Sequence, residues 1–283
     1  MIKPSVEELK NTATQIRRDV LRMVHACKSG HPGGSLGCAD FFTAMYFSIM
    51  NHNPEFSMDG INEDIFILSN GHISPVFYST LARSGYFPLA ELNTFRRINS
   101  RLQGHPATHE KLPGVRVATG SLGQGISVAV GAALAKKLNN DKNFVFALMG
   151  DGEIQEGQCW EAFMFAAAHK VDNLIVTLDF NGKQIDGNTN EIMGINESVA
   201  DKLVSFGWQV LHMDGHNIQN IIDTITHAKN ISGNGKPVFI VMRTEMGYPI
   251  DFMMGTHKWH GVAPNDTELE KALSQLSETI GDY

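Results

Sequence analysis

The 283-residue sequence contains only three cysteines, Cys27, Cys38 and Cys159, odd in number and without Cys-x-x-Cys spacing. Neither a disulfide framework nor a thiolate metal cluster is indicated. Long hydrophobic runs are absent: the longest uncharged, apolar-leaning stretch, Ile126 to Ala135, is about half of the ~20 residues a membrane span needs. Met1 to Lys10 lacks the apolar core of a signal peptide, so no membrane association is expected and the chain is expected in the cytoplasm. There is no basic stripe either. Lys and Arg number 23 against 30 Asp and Glu, a net charge of −7, and the densest basic spot, Arg17-Arg18, falls inside an amphipathic helix pattern, which argues against nucleic acid. With no internal repeat, low-complexity tract or linker, residues 1–283 read as one domain of ordinary globular composition.

What the sequence does have is alternation. Apolar residues at Leu9, Ile16, Val20, Met23, Val24 and Cys27 repeat at helical spacing, predicting a helix over 8–28 that Gly30 and Pro32 end. A second helix is predicted over 39–50. Short β-branched or aromatic runs follow at 65–68, 144–149, 174–178, 210–213 and 238–242, each reading as a buried strand. Helical stretches lie between them at 126–138, 160–169, 199–206 and 218–228, and a helical tail is expected at 266–279. Strand alternating with helix predicts an α/β fold, a parallel sheet covered by helices on both faces.

In such sheets ligands gather beyond the carboxyl ends of the strands. The strand ending at Met149 runs into Gly150-Asp151-Gly152, which places a carboxylate between two residues that let a ligand approach the backbone. Alone this is weak: the tripeptide arises by chance in about one chain in fourteen of this length. The next strand ends at Phe180-Asn181-Gly182-Lys183, and 181 − 151 = 30 residues is one strand-helix-strand step. Asp151 and Asn181 are then expected side by side, with a turn carbonyl such as that of Lys183 as a third oxygen. Such a set suits Mg²⁺, or Ca²⁺, shared with the oxygens of a diphosphate. An Asx-turn and a helix cap account for the same residues. A third element, Thr119-Gly120-Ser121-Leu122-Gly123-Gln124-Gly125, opens a helix, as anion-binding loops do, but matches neither the dinucleotide fingerprint nor the phosphate loop.

Of twelve histidines, His31, His72, His105, His216 and His260 adjoin a glycine and so belong to turns. Imidazoles in loops on a rigid sheet suit binding or proton transfer at hydroxyl and carbonyl oxygens. His25, His169 and His227 sit in helical patterns, where a structural role is expected. Close pairs such as His257 and His260 raise zinc as an alternative, unsupported by a His-Glu-x-x-His motif or a cysteine set.

Several of these segments carry a family resemblance. Ser29-Gly30-His31-Pro32-Gly33, Ser69-Asn70-Gly71-His72, Gly104-His105-Pro106, the Gly120 loop, Gly150-Asp151-Gly152-Glu153-Ile154-Gln155-Glu156-Gly157, Asn181 and Trp259-His260-Gly261 together resemble the N-terminal, diphosphate-binding half of transketolase, as in a transketolase split into two chains. The resemblance implies thiamin diphosphate anchored through Mg²⁺ by Asp151, Asn181 and the Lys183 carbonyl, with Gly152, His72 and His260 on the diphosphate. It implies that Gly120, Ser121 and Leu122 line the aminopyrimidine. His31, His105 and His260 are the implied catalytic residues at the donor sugar, and Glu156 and Glu161 match acidic residues near the subunit interface. Two positions depart from the family: Met246 stands where many relatives have a basic residue nearby, and Phe180 where a polar one is commoner.

The implied reaction is ketol transfer between sugar phosphates, in the manner of the pentose phosphate pathway. The bond beside a ketose carbonyl breaks, an aldose leaves, and the two-carbon unit passes to an acceptor aldose, with His31 and His260 handling protons. A carboxylic acid on the pyrimidine ring comes, in the family, from a second domain. The expected partner is therefore a separate C-terminal subunit carrying the pyrimidine-binding and C-terminal domains, in a two-plus-two heterotetramer. Competing expectations are deoxyxylulose-phosphate synthase, the alpha chain of a 2-oxo-acid dehydrogenase, or a non-catalytic binding subunit.

Overall fold

The computed structural model describes residues 3–194 and 198–283. The ends of the expected domain at residues 1 and 2, and its residues 195–197, lie outside the described residues. Ser5 opens α1 (Val6–Cys27): its hydroxyl accepts from the Glu8 N–H, and the Glu8 carboxylate accepts from the Ser5 N–H. Short helices α2 (Pro32–Gly37) and α3 (Ala39–Ala44) follow, and α3 runs on as a π turn over Met45–Ile49. Then come β1 (Ile65–Leu68), α4 (Ser74–Arg83), α5 (Gln124–Leu138), β2 (Val145–Gly150), α6 (Gly157–Ala168) and β3 (Leu174–Phe180). A two-stranded antiparallel hairpin, β4 (Lys183–Gln184) and β5 (Gly187–Asn188), leads to α7 (Thr189–Ile192) and α8 (Val199–Phe206). The chain closes with β6 (Gln209–Asp214), α9 (Ile218–Ile231), β7 (Val238–Arg243) and α10 (Asp266–Ser274).

The strands form one parallel sheet in the order β1-β2-β3-β7-β6. Side chains alternate along each strand, so one strand feeds two cores. Phe66, Leu68, Phe146, Leu148 and Ile240 join α1, α3, α4 and α9 on one face. Ile65, Ile67, Val145, Ala147 and Val241 join α5, α6 and α8 on the other. Burial on both faces explains why the strands read as continuous apolar runs. Among the described residues no helix is long and apolar enough to cross a membrane.

The structure differs from the sequence expectation at three places. The C-terminal helix stops at Ser274 rather than at 279. Beyond it the Gln15 side-chain oxygen accepts from the N–H groups of Thr279 and Ile280, and Asp282 pairs with Arg18 and Arg22, so contacts with α1 replace further helical bonds. Helices α2, α4 and α7 and the β4-β5 hairpin are not among the sequence expectations. Residues Ser74 to Ala82 of α4 are all buried, and a helix covered on every side shows no apolar stripe. The basic spot on α1 is internal: Arg17 pairs with Asp40, and both are buried.

Candidate active site

The carboxyl ends of β1, β2 and β3 open onto a cavity of about 530 Å³. Its walls include His31, His72, His105 and His260, together with Gly120, Leu122, Asp151, Gly152, Asn181 and Lys183. Segments distant in sequence thus meet there. Ser121 is exposed and not part of the wall. His216 lies elsewhere: its Nε2 accepts from the Glu245 N–H at 2.7 Å and its ring stacks on Tyr248, a structural role.

Glycines let these loops interlock. A Cβ on Gly71, beside His72, would lie 2.5 Å from Thr119 Oγ1, and one on Gly120 would lie 2.5 Å from the His105 ring. Gly120 also has φ of 123°, a conformation most side chains resist. Below His31, a Cβ on Gly33 would meet Met246 Cγ at 2.6 Å and the Trp259 carbonyl at 2.8 Å. Met246 is thus packing under the His31 turn, with 1% of its surface exposed. Trp259 is anchored by its indole N–H to the Phe252 carbonyl at 3.0 Å and holds the turn that ends in His260. Phe180 lies beneath the Arg243 guanidinium, 5.0 Å from ring centre to carbon.

The four histidines form one group. Ring centres are 5.0 Å apart for His31 and His72, 5.6 Å for His31 and His260, 5.1 Å for His72 and His260, and 6.3 Å for His31 and His105. Burial pushes the His31 pKa down to about 4, helped by His260, Arg96 and His105. Burial likewise lowers His72, His105 and His260. At neutral pH the group is uncharged, so each ring carries one donor and one acceptor nitrogen. His31 Nδ1 is buried without a hydrogen-bond partner. Among the described residues no three His, Cys, Asp or Glu side chains are grouped as a metal site.

The cation expectation rests on oxygen donors instead. Gly150 pairs in register with Asp179, so the tips of β2 and β3 lie side by side, and Asp151 Oδ2 accepts from the Gly182 N–H at 2.6 Å. Asn181 Nδ2 donates to Asp179 at 2.9 Å, while its Oδ1 accepts from the Lys183 N–H at 2.9 Å. Asp179, fully buried and also receiving the Thr244 hydroxyl, orients the Asn181 carboxamide. Burial and the neighbouring Asp179 push the Asp151 pKa up to about 8, against backbone N–H groups that act the other way. Positive charge placed at this point relieves that repulsion. A carboxylate, a carboxamide oxygen and a turn carbonyl are the donors a hard divalent cation takes, so the residues fit one. Gly152 and the buried, unpartnered Oδ1 of Asn70 border the same space.

Sequence reasoning left out Asp179, Asn70 and Glu153. Glu153 is 1% exposed, and burial raises its carboxyl above the usual range against three hydrogen-bond donors. Asp179, two residues before Asn181 at a strand end, was open to notice; Glu153 stands in the Gly150–Gly157 segment that carries the resemblance, but nothing local gives it a role. Glu156, on the cavity rim, and Glu161 on α6 are both exposed.

The chain is similar to known proteins along nearly its whole length. A family model described as "Transketolase, thiamine diphosphate binding domain" matches residues 9–278. The chain belongs to the transketolase family, as an N-terminal subunit of the split type. It is 38% identical to one subunit of the apulose-4-phosphate transketolase of Actinobacillus succinogenes, over 97% of this chain and 98% of that one. It is 37% identical to the SqwG subunit of the 6-deoxy-6-sulfo-D-fructose transketolase of a Clostridium species, over 96% and 97%. A crystal structure of transketolase from Campylobacter jejuni superposes with a TM-score of 0.88 at 33% identity, covering 96% of this chain and 43% of that one. The chain thus spans under half of that transketolase and nearly the full length of the split-type subunits. The domain is a thiamin diphosphate-binding one, and the relatives are transferases.

Proposed function

We propose that the chain holds thiamin diphosphate through Mg²⁺, which Ca²⁺ can replace, and transfers a two-carbon ketol unit from a ketose phosphate to an aldose phosphate together with a separate C-terminal subunit. The cation's ligands are Asp151, Asn181 Oδ1 and the Lys183 carbonyl. His72, Gly152 and His260 contact the diphosphate, and Gly120 and Leu122, which line the cavity, border the aminopyrimidine, while Ser121 lies outside that wall. When bound, the cofactor supplies the nucleophilic carbon and the electron sink for cleaving the bond beside a ketose carbonyl.

This chain's residues position and move protons. His31, His105 and His260 are neutral at pH 7, so each can donate to one sugar oxygen or accept from another without first losing a proton. His31 and His260, 5.6 Å apart, take the proton of the hydroxyl whose neighbouring bond breaks and return it to the acceptor. The observation that supports this reading is the bond from the Gly182 N–H to Asp151, which makes two strand tips one seat beside the four histidines.

The split relatives are each named as one subunit of a transketolase, which supports a partner, here a chain with the pyrimidine-binding and C-terminal domains in a two-plus-two heterotetramer. Its setting is the cytoplasm, consistent with three unpaired cysteines, and its place sugar-phosphate metabolism of the pentose phosphate kind. Ketol transfer should appear on mixing the chain with that partner, thiamin diphosphate and Mg²⁺. Full activity of the chain alone would overturn the requirement for a partner; no activity in the assembled pair would overturn the reaction.

A further inference from the structure

Glu153 lies immediately after Gly152, in the short turn Glu153–Gln155 that follows β2. Its carboxylate joins three separate segments. One oxygen accepts the Ser69 hydroxyl, at the tip of β1, and the N–H of Gly123 at 2.9 Å, at the end of the Gly120 loop. The other accepts the Gly150 N–H at 3.1 Å, at the tip of β2. Every one of these segments borders the cavity. Gly123 has φ of 82° and leads into α5, and a Cβ two residues on, at Gly125, would collide with the Ser69 side chain. The loop and the β1 tip are therefore packed to contact, with the Glu153 carboxylate bonded to both.

We propose that Glu153 is a positioning residue that sets the Gly120–Gly123 loop against the β2 turn, and so fixes the distance between the aminopyrimidine wall and the cation seat at Asp151. The inference rests on the cofactor reading above. Asp151 and Glu153 leave the same turn: Asp151 bonds toward β3, through Gly182, and Glu153 toward β1 and α5. One turn thereby registers both ends of the cofactor. A carboxylate suits this position because all three partners donate to it, and three donors facing one acceptor group exclude a donor in its place. Glu153→Gln keeps the shape, but its NH₂ group must face at least one of the backbone N–H groups, since neither can turn into an acceptor.

The test uses the full chain assembled with its C-terminal partner. Glu153→Gln should raise the apparent KM for thiamin diphosphate by roughly tenfold or more, the size of one lost charge-assisted hydrogen bond, with kcat at saturating cofactor within about twofold of wild type. In the cofactor-free chain the Gly123 amide should exchange its hydrogen faster in the variant, a readout that needs no activity. Ser69→Ala, which removes only the hydroxyl partner, should raise the same KM by a few-fold and keeps the test alive if Glu153→Gln does not fold. Faster exchange at Gly123 in Glu153→Gln with no cofactor binding by the wild-type assembly would sink the cofactor reading but not the clamp. An unchanged cofactor KM in a folded variant, or lost thermal stability with no change in KM, would overturn the proposal.

Discussion

At the scale of single residues, the site depends on charge placed where water is excluded. Asp151, 1% exposed and beside a second buried carboxylate, is costly as an anion until a cation neutralises it. Asp151→Ala is expected to abolish the thermal stabilisation that thiamin diphosphate and Mg²⁺ confer together on the assembled protein. That stabilisation reaches about 2.7 kcal/mol at a hundredfold excess over Kd. Undiminished stabilisation in the variant, measured by melting with and without both ligands, would remove Asp151 from the cation seat. His216 shows the limit of reading residues singly. It adjoins a glycine as the cavity histidines do, yet it accepts a backbone N–H from Glu245 and stacks on Tyr248.

At the scale of elements, the support beneath the site is built on buried ion pairs as well as on apolar packing. Asp19 on α1 is fully buried, receives the Ser79 hydroxyl at 2.7 Å and pairs with Arg83 at the end of α4. This bond ties α4, which follows the His72 turn, to α1, which precedes His31. Arg83→Ala should cost roughly 3–5 kcal/mol in urea unfolding, because it leaves a buried carboxylate without its cation. A loss under about 1 kcal/mol would mean that Asp19 is not left as an unpaired buried anion when Arg83 is removed. Such pairs hide burial, not the helix, from sequence reading: Arg17, Arg18 and Asp19 are charged, and all are buried.

At the scale of the whole molecule, a cluster of neutral, mostly half-buried histidines makes stability depend on pH. An unfolded histidine takes up a proton below about pH 6.5, whereas His31 in the fold resists protonation down to about 4. Between those values the unfolded state binds more protons, so stability rises with pH and falls as pH drops through the window. Above pH 6.5 neither state binds the proton, and below about 4 both do, so the contribution of His31 is confined to that interval. Unfolding midpoints at about pH 7, 5.5 and 4.5 should fall less steeply in His31→Gln than in wild type. Parallel profiles would mean that His31 is protonated in the native state as readily as in the unfolded one.

The five strands of the parallel sheet, most of the longer helices, the two covered faces and the strand ends that border the cavity were legible in the sequence, because apolar period and Gly-rich turns are local properties of a chain. The pairing of the Asp151 and Asn181 turns was legible too, since a crossover of that length brings consecutive parallel strands together. Which glycine-flanked histidines converge was not legible from spacing; only the family resemblance singled out His31, His72, His105 and His260 and left out His216. His31, His72, His105 and His260 come from four loops whose approach is set by glycines packed against distant residues, while His216 is held away by Glu245 and Tyr248. Nor was a role for Glu153 legible, although it stands in the Gly150–Gly157 segment: its three partners come from the tips of two strands and the start of a helix. Short-range spacing dictates which elements form; the contacts that turn their ends into a site lie far apart along the chain and exist only once the sheet has brought them together.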